Sequence, residues 1–298
     1  MAEWIPNEIE NIYKVKSIEE ILKYNRDFRK YFNVSDSNSY KGLCAFYRGQ
    51  ANSNWKIEPI INRKGCHVNF EGNEIQEVSW KYINEGRTLF DIIAKMQHYG
   101  MKTRFIDFTT DIDVALYFAC NNKEYINHDA SLFIYMYVPH SAESISTLVL
   151  TEIALLNIKD APDKISIREI ANKVINHNPS IIKRYESRED FEGTIVSFLD
   201  HGFMACPDKR SLEHNSRMWK QKGCFFICGA QATKFIESTD RWSSHAGKVE
   251  YYIKVGDIPK SLIRGLALIK LIIPKEIKGD ILKYLAEKSI DYDHLFAN

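Results

Sequence analysis

The chain has 298 residues, enough to bury a sizeable core in one large domain or in a domain with a substantial insertion. Apolar residues make up 45% and charged residues 27%, the ordinary balance of a soluble globular protein. A formal net charge of +1 excludes a global field that recruits nucleic acid or acidic membrane, so a polyanion would need a local basic patch.

The first residues, MAEWIPNEIENIYK, show no apolar stretch behind a basic one, so a signal peptide is not expected. No uncharged apolar run approaches the ~18 residues of a spanning helix. Leu266 to Pro274 is interrupted by Lys270 and reads as a buried strand. Cys44, Cys66, Cys120, Cys206, Cys224 and Cys228 form no CxxC pair, so the expectation is reduced thiols, no metal, no membrane and a cytoplasmic location.

In chain order, Ser17-Ile-Glu-Glu20 is a capping-box pattern, and Ile21, Leu22, Tyr24 and Phe28 continue it at helical spacing, predicting a helix over 18–31. Val34 to Tyr40 reads as a loop. Leu43 to Tyr47 is a short apolar strand feeding Arg48-Gly49. A helix around 76–97 follows, stopped by Gly100. Thr110-Asp-Ile-Asp113 opens a buried helix through Ala119. Ser131 to Val138 is a strand ended by Pro139. Residues 141–205 read as a mostly helical insertion or lid, with helices at 166–176 and 187–201. Strands return at Gly223–Cys228, Lys248–Val255 and Leu266–Ile273, and a helix closes the chain at 275–289. The expected fold class is α+β, with a mixed sheet assembled from distant strands. The core of this one domain would span about 40–140 and 206–230 together with the C-terminal strands and helix.

Three stretches carry chemistry. Arg48 stands where a strand leaves the core. Its guanidinium fork suits a phosphate or carboxylate, or equally a structural role capping carbonyls. The stretch Gln97 to Thr110 gathers His98, Thr103, Arg104, Asp107, Thr109 and Thr110 at the entry to a helix, where free N–H donors favour a site. His98 is a candidate donor or general base and Arg104 a candidate anion holder, against the alternative that His98 and Asp107 are buried struts. Asp107, Asp111 and Asp113 match no calcium loop. Arg217 and Gln221 are four apart, so on a helix they share a face.

Together these stretches resemble the FRG domain family, named for a Phe-Arg-Gly motif that here reads Tyr47-Arg48-Gly49-Gln50, with Trp55, Pro59 and Arg63 after it. The run Gln97-His98-Tyr99-Gly100 … Thr103-Arg104-Phe105-Ile106-Asp107-Phe108-Thr109 … Ala115-Leu116-Tyr117-Phe118-Ala119 looks like the family's second motif. Arg217, Gln221, Gly223 and Phe225 resemble its third. A weaker resemblance is to ADP-ribosyltransferases of the arginine–serine–glutamate type, which carry an Arg-Gly strand end, then a hydroxyl motif entering an Ala- and Phe-containing helix.

That second resemblance implies an ADP-ribosyltransferase-like fold and NAD as substrate, with ADP-ribose passed to a protein or nucleic-acid acceptor or to water. A toxin or phage-defence effector would suit such an activity. It implies that Arg48 binds the NAD phosphates and that Thr109 and Thr110 order the ribose. Beside it, Gly49, Gln50, Thr103, Arg104, Asp107 and Arg217 are candidate nucleotide-binding residues, His98 a candidate acid–base group or ligand donor, and Gln221 a candidate to position the ribose or acceptor. The pattern departs at Gln221, where a glutamate is expected. Glu152, Glu192, Glu213 and Glu237 are alternative carboxylates, and nothing in the sequence selects one. Two other readings stay open: a non-catalytic nucleotide- or nucleic-acid-binding sensor module, and a hydrolase or nuclease built on His98 and Asp107.

Overall fold

The computed structural model describes residues 11–34, 42–62, 72, 75, 88–154, 164–213, 215–229, 232–236, 249–254 and 267–296. The expected loop after Val34, the part of the 76–97 helix before residue 88, Arg63, Cys66, Glu237 and Lys248 lie outside them.

The first described strand, β1 (Asn11–Lys14), leads into α1 (Ile18–Tyr31). Ser17 caps that helix by accepting from the Glu20 amide, and the Glu20 carboxylate accepts from Lys16 N at 2.7 Å. This is the capping pattern seen in the sequence, with the return bond moved one residue back. Next come β2 (Cys44–Gln50), α2 (Leu89–His98), β3 (Phe105–Thr109) and α3 (Ile112–Cys120). Gly100 has φ +81°, the left-handed conformation that ends α2 where the sequence placed a stop. Asp111, not Thr110, is the residue that caps α3, accepting from the Asp113 amide at 2.9 Å.

The central strand β4 (Ala130–Tyr137) is apolar and buried on both faces. It is followed by β5 (His140–Ser141), α4 (Ile145–Ala154), β6 (Lys164–Ser166), α5 (Ile167–His177), α6 (Arg188–His201) and β7 (Phe203–Cys206). Then come α7 (Lys209–Glu213), α8 (Ser216–Lys220), β8 (Gly223–Ile227), β9 (Ala232–Ile236), β10 (Val249–Lys254), β11 (Leu268–Ile273), α9 (Lys278–Glu287) and α10 (Tyr292–Phe296).

Eight strands form a mixed sheet in the order β1-β11-β4-β2-β3-β8-β7-β5, and β6-β10-β9 form a second, antiparallel sheet. The fold is therefore α+β, its main sheet built from both ends of the sequence. Among the described residues the 141–205 stretch supplies three α-helices, but also the edge strand β5 and its neighbour β7 in the main sheet and β6 of the other. Phe203–Cys206 escapes sequence detection because a four-residue strand buried at every position carries no alternation.

Side chains alternate across the sheet as a two-residue period demands. Phe105, Phe225 and Ile227 pack with α2, α4, α5 and α6, while Ile106, Phe108 and Phe226 pack on the opposite face with Phe46 and Tyr135. A third cluster joins Tyr47, Leu132 and Leu271 to α1, α3 and α9. Among the described residues Cys44, Cys120, Cys206, Cys224 and Cys228 form no disulfide, and burial pushes the Cys120 thiol up to about 12. No helix among the described residues is long and apolar enough to cross a membrane.

Candidate functional site

One register pair, Tyr47 with Thr109, joins β2 to β3. Beyond it the strands part: Arg48 pairs with Phe133 on β4, and Asp107 with Phe225 on β8. The main sheet thus opens along a seam, and a cleft of about 410 Å³ lies there. That volume falls within the range of small-molecule sites, about 300–1,000 Å³.

Arg48 spans the seam. Its Nη1 donates to the Asp107 carbonyl at 2.6 Å, replacing the ladder bond that β2 no longer supplies. Its distance to Asp107 Oδ2 is 4.0 Å, beyond hydrogen-bond length, so the short contact is to the main chain rather than the carboxylate. Gly49 is required for packing: a Cβ there would sit 1.8 Å from the Ala115 carbonyl oxygen, so β2 and α3 approach backbone to backbone. Gln50 is buried, and its Nε2 donates to the Lys56 carbonyl at 3.2 Å.

The facing wall comes from the end of α2 and from β3. Gln97 Nε2 donates to the Phe105 carbonyl at 3.3 Å and to Asp107 Oδ2 at 3.1 Å, while Gln97 Oε1 accepts from Thr103 Oγ1 at 2.6 Å. Thr103 also accepts from the Phe105 amide at 3.1 Å. The ring of His98 lies against Phe225, with centroids 5.9 Å apart. Burial holds the His98 imidazole below its ordinary value; the Asp107 carboxylate pulls it up and the Arg217 guanidinium pushes it further down.

The third wall is α8 and the turn after it. Arg217 Nη1 donates to the His98 carbonyl at 3.2 Å, and its guanidinium lies 4.6 Å over the Phe296 ring. Gln221 caps α8, and its Nε2 donates to the Leu295 carbonyl at 3.3 Å. Thr109 Oγ1 donates to the Gln221 carbonyl at 2.7 Å and accepts from the Asp111 amide at 3.0 Å. Lys222 turns the chain with φ +45°, accepts from Thr110 N through its carbonyl at 3.1 Å, and pairs with Asp111 at 2.7 Å.

The cleft therefore brings together Arg48, Gly49, Gln50, His98, Asp107, Thr109, Arg217 and Gln221 from three distant stretches. It leaves out Thr103, Arg104 and Thr110: Thr103 and Arg104 are buried behind the wall, and Thr110 is tied through its amide to Lys222. Of the other carboxylates, Glu192 is bonded to Arg168 and Arg188, Glu213 pairs with Lys209, and Glu152 is buried on α4. None of the three lines the cleft. Trp55, Gln97, Phe118 and Asn122 do, although sequence reasoning assigned them no role. Gln97 had a detectable signal, as the polar residue one place before His98 at a helix end; Asn122 had none.

Three buried polar atoms on lining residues, Gln50 Oε1, His98 Nε2 and Arg217 Nε, find no partner among the described residues. Unpaired buried polar atoms are costly in folded proteins, and a polar ligand or water in the cleft would give these three a partner.

Residues 44–128 match the family model of the FRG domain, a span running from β2 through α2, β3 and α3. No curated protein and no solved structure matches the chain. The Arg48 strand and the whole wall from Gln97 to Thr109 fall inside the matched residues, and the chain carries an FRG domain there.

Proposed function

We propose that the cleft binds NAD and that the chain transfers ADP-ribose to a macromolecular acceptor, protein or nucleic acid, or hydrolyses NAD. The observation that carries this reading is the convergence at the seam of Arg48, His98 and Gln221 with three unpaired buried polar atoms. In this reading Arg48 grips the pyrophosphate, as a planar fork of donors suits. His98, held neutral by burial, accepts a proton from the incoming nucleophile. Gln221 positions a ribose hydroxyl. The Thr109 hydroxyl is already engaged by Gln221 and Asp111, so its part is to hold β3 and the α8–β8 turn together. No metal takes part.

The test is incubation of the purified protein with radiolabelled NAD, alone and with cell lysate, following nicotinamide release and label on macromolecules. Label on one acceptor, lost in a folded Arg48→Ala variant, establishes a transferase. Free ADP-ribose without label establishes a glycohydrolase. Full turnover in Arg48→Ala rules the assignment out.

A second reading, a nucleotide- or nucleic-acid-binding sensor module, is favoured by one observation: the position expected for a catalytic glutamate is an amide bonded to Leu295. Binding by calorimetry without turnover, acceptors included, would select it.

A further inference from the structure

Breaking the bond between a ribose and nicotinamide builds positive charge on the ribose, and a carboxylate placed beside that charge lowers the barrier. Gln221 brings no such charge. We infer that Asp107 supplies the carboxylate, from the opposite wall of the cleft. This inference rests on the NAD reading above.

Among the described residues that line the cleft, Asp107 is the one that carries a carboxylate. Its setting is unusual for a strand. Phe105, Ile106, Phe108 and Thr109 are all buried, whereas the Asp107 side chain is 51% exposed although β3 has a neighbour on each side. It is open because β2 diverges there. Aspartate is among the residues least favoured in strands, so neither packing nor backbone preference accounts for it at this position.

The carboxylate is also oriented. Thr103 Oγ1 holds Gln97 Oε1 at 2.6 Å, and the same amide presents Nε2 to Asp107 Oδ2 at 3.1 Å. Thr103 is fully buried and anchored on the Phe105 amide, so the chain of bonds runs from the core to the carboxylate. Oδ1 accepts no hydrogen bond among the described residues. A charge fixed before the reaction needs no reorganisation when the transition state forms. This gives Thr103 and Gln97 the role of positioning residues.

The step balances without a further reagent. The bond from ribose C1′ to the nicotinamide nitrogen breaks, its electron pair neutralises the pyridinium, and nicotinamide leaves uncharged. The positive charge that develops at C1′ faces the Asp107 carboxylate. The hydroxyl of an acceptor or of water then bonds to C1′ and passes its proton to His98.

Wild type, Asp107→Asn and Gln97→Met are compared for NAD binding by calorimetry and for nicotinamide release. Asparagine keeps an oxygen for Gln97 while removing the charge. The expected result is NAD affinity within about threefold of wild type, with nicotinamide release slower by on the order of 10²-fold or more. Gln97→Met, which keeps the charge but loses its orientation, is expected to lower kcat about tenfold with NAD affinity unchanged. An unchanged rate in Asp107→Asn, or in Gln97→Met should the first variant not fold, overturns the role of Asp107 and leaves the NAD reading standing. A wild-type protein that neither binds nor cleaves NAD overturns both.

Discussion

The Gln221 side-chain amide donates to the carbonyl of Leu295 at 3.3 Å, so the residue that departs from the glutamate pattern also fastens α10 to the wall of the cleft. A carboxylate has no hydrogen to give and would face that carbonyl oxygen. Gln221→Glu is therefore expected to destabilise the fold by about 1–3 kcal/mol and to bring no gain in nicotinamide release. Urea unfolding and the release assay check the two halves of this statement.

Gly49 sits where an added methyl group would penetrate the Ala115 carbonyl, at 1.8 Å, and approach the Ala119 amide nitrogen at 2.7 Å. Both neighbours are backbone and cannot rotate away. Gly49→Ala is expected to cost about 3 kcal/mol or more, read as a lower thermal midpoint, and to separate β2 from α3.

Thr109 serves two buried backbone groups with one hydroxyl. Thr109→Val is close in shape but leaves the Gln221 carbonyl and the Asp111 amide without that partner, an expected loss of about 1–3 kcal/mol. Thr109→Ser keeps the hydroxyl and should stay near wild type. Denaturant midpoints of the two variants, measured side by side, separate the hydroxyl from the methyl.

His98 is held below its unfolded value of about 6.5, chiefly by burial, with Arg217 adding to the depression and Asp107 opposing it. Below that pH the unfolded chain takes up the proton first. Stability is thus fully present above about pH 6.5 and is lost as pH falls through the lowered folded value. Urea midpoints measured across that window should fall on acidification, and His98→Gln should flatten the slope.

Much of this architecture is legible in local sequence. Ser17 and Glu20 announce α1, Gly100 its stop after α2, and Ser187 the start of α6, because capping is decided within a few residues. The convergence of Arg48, His98 and Gln221 was legible only through motif resemblance, since no short-range pattern brings residues so far apart in the chain together. The bond from Thr103 to Gln97 was hidden for another reason: buried threonines and ligand-holding threonines look alike until the fold shows which way the wall faces. Asp107 stood in view, but as one of three aspartates. Only the parting of β2 and β3 sets it apart from Asp111, which caps α3 and pairs with Lys222.

The placement of β11 between β1 and β4 has a consequence during synthesis. A growing chain that has reached residue 254 already contains every side chain of the cleft, yet its Arg48 half-sheet lacks the strand that joins β1 to β4. Lys278, which donates to the carbonyls of Ala51 and Tyr125, and Leu295, which receives Gln221, are also still missing. Pairings between such distant segments form late, because a long loop must close before any contact rewards it. The Arg48 half of the sheet therefore completes its pairing only after β11, α9 and α10 have been made.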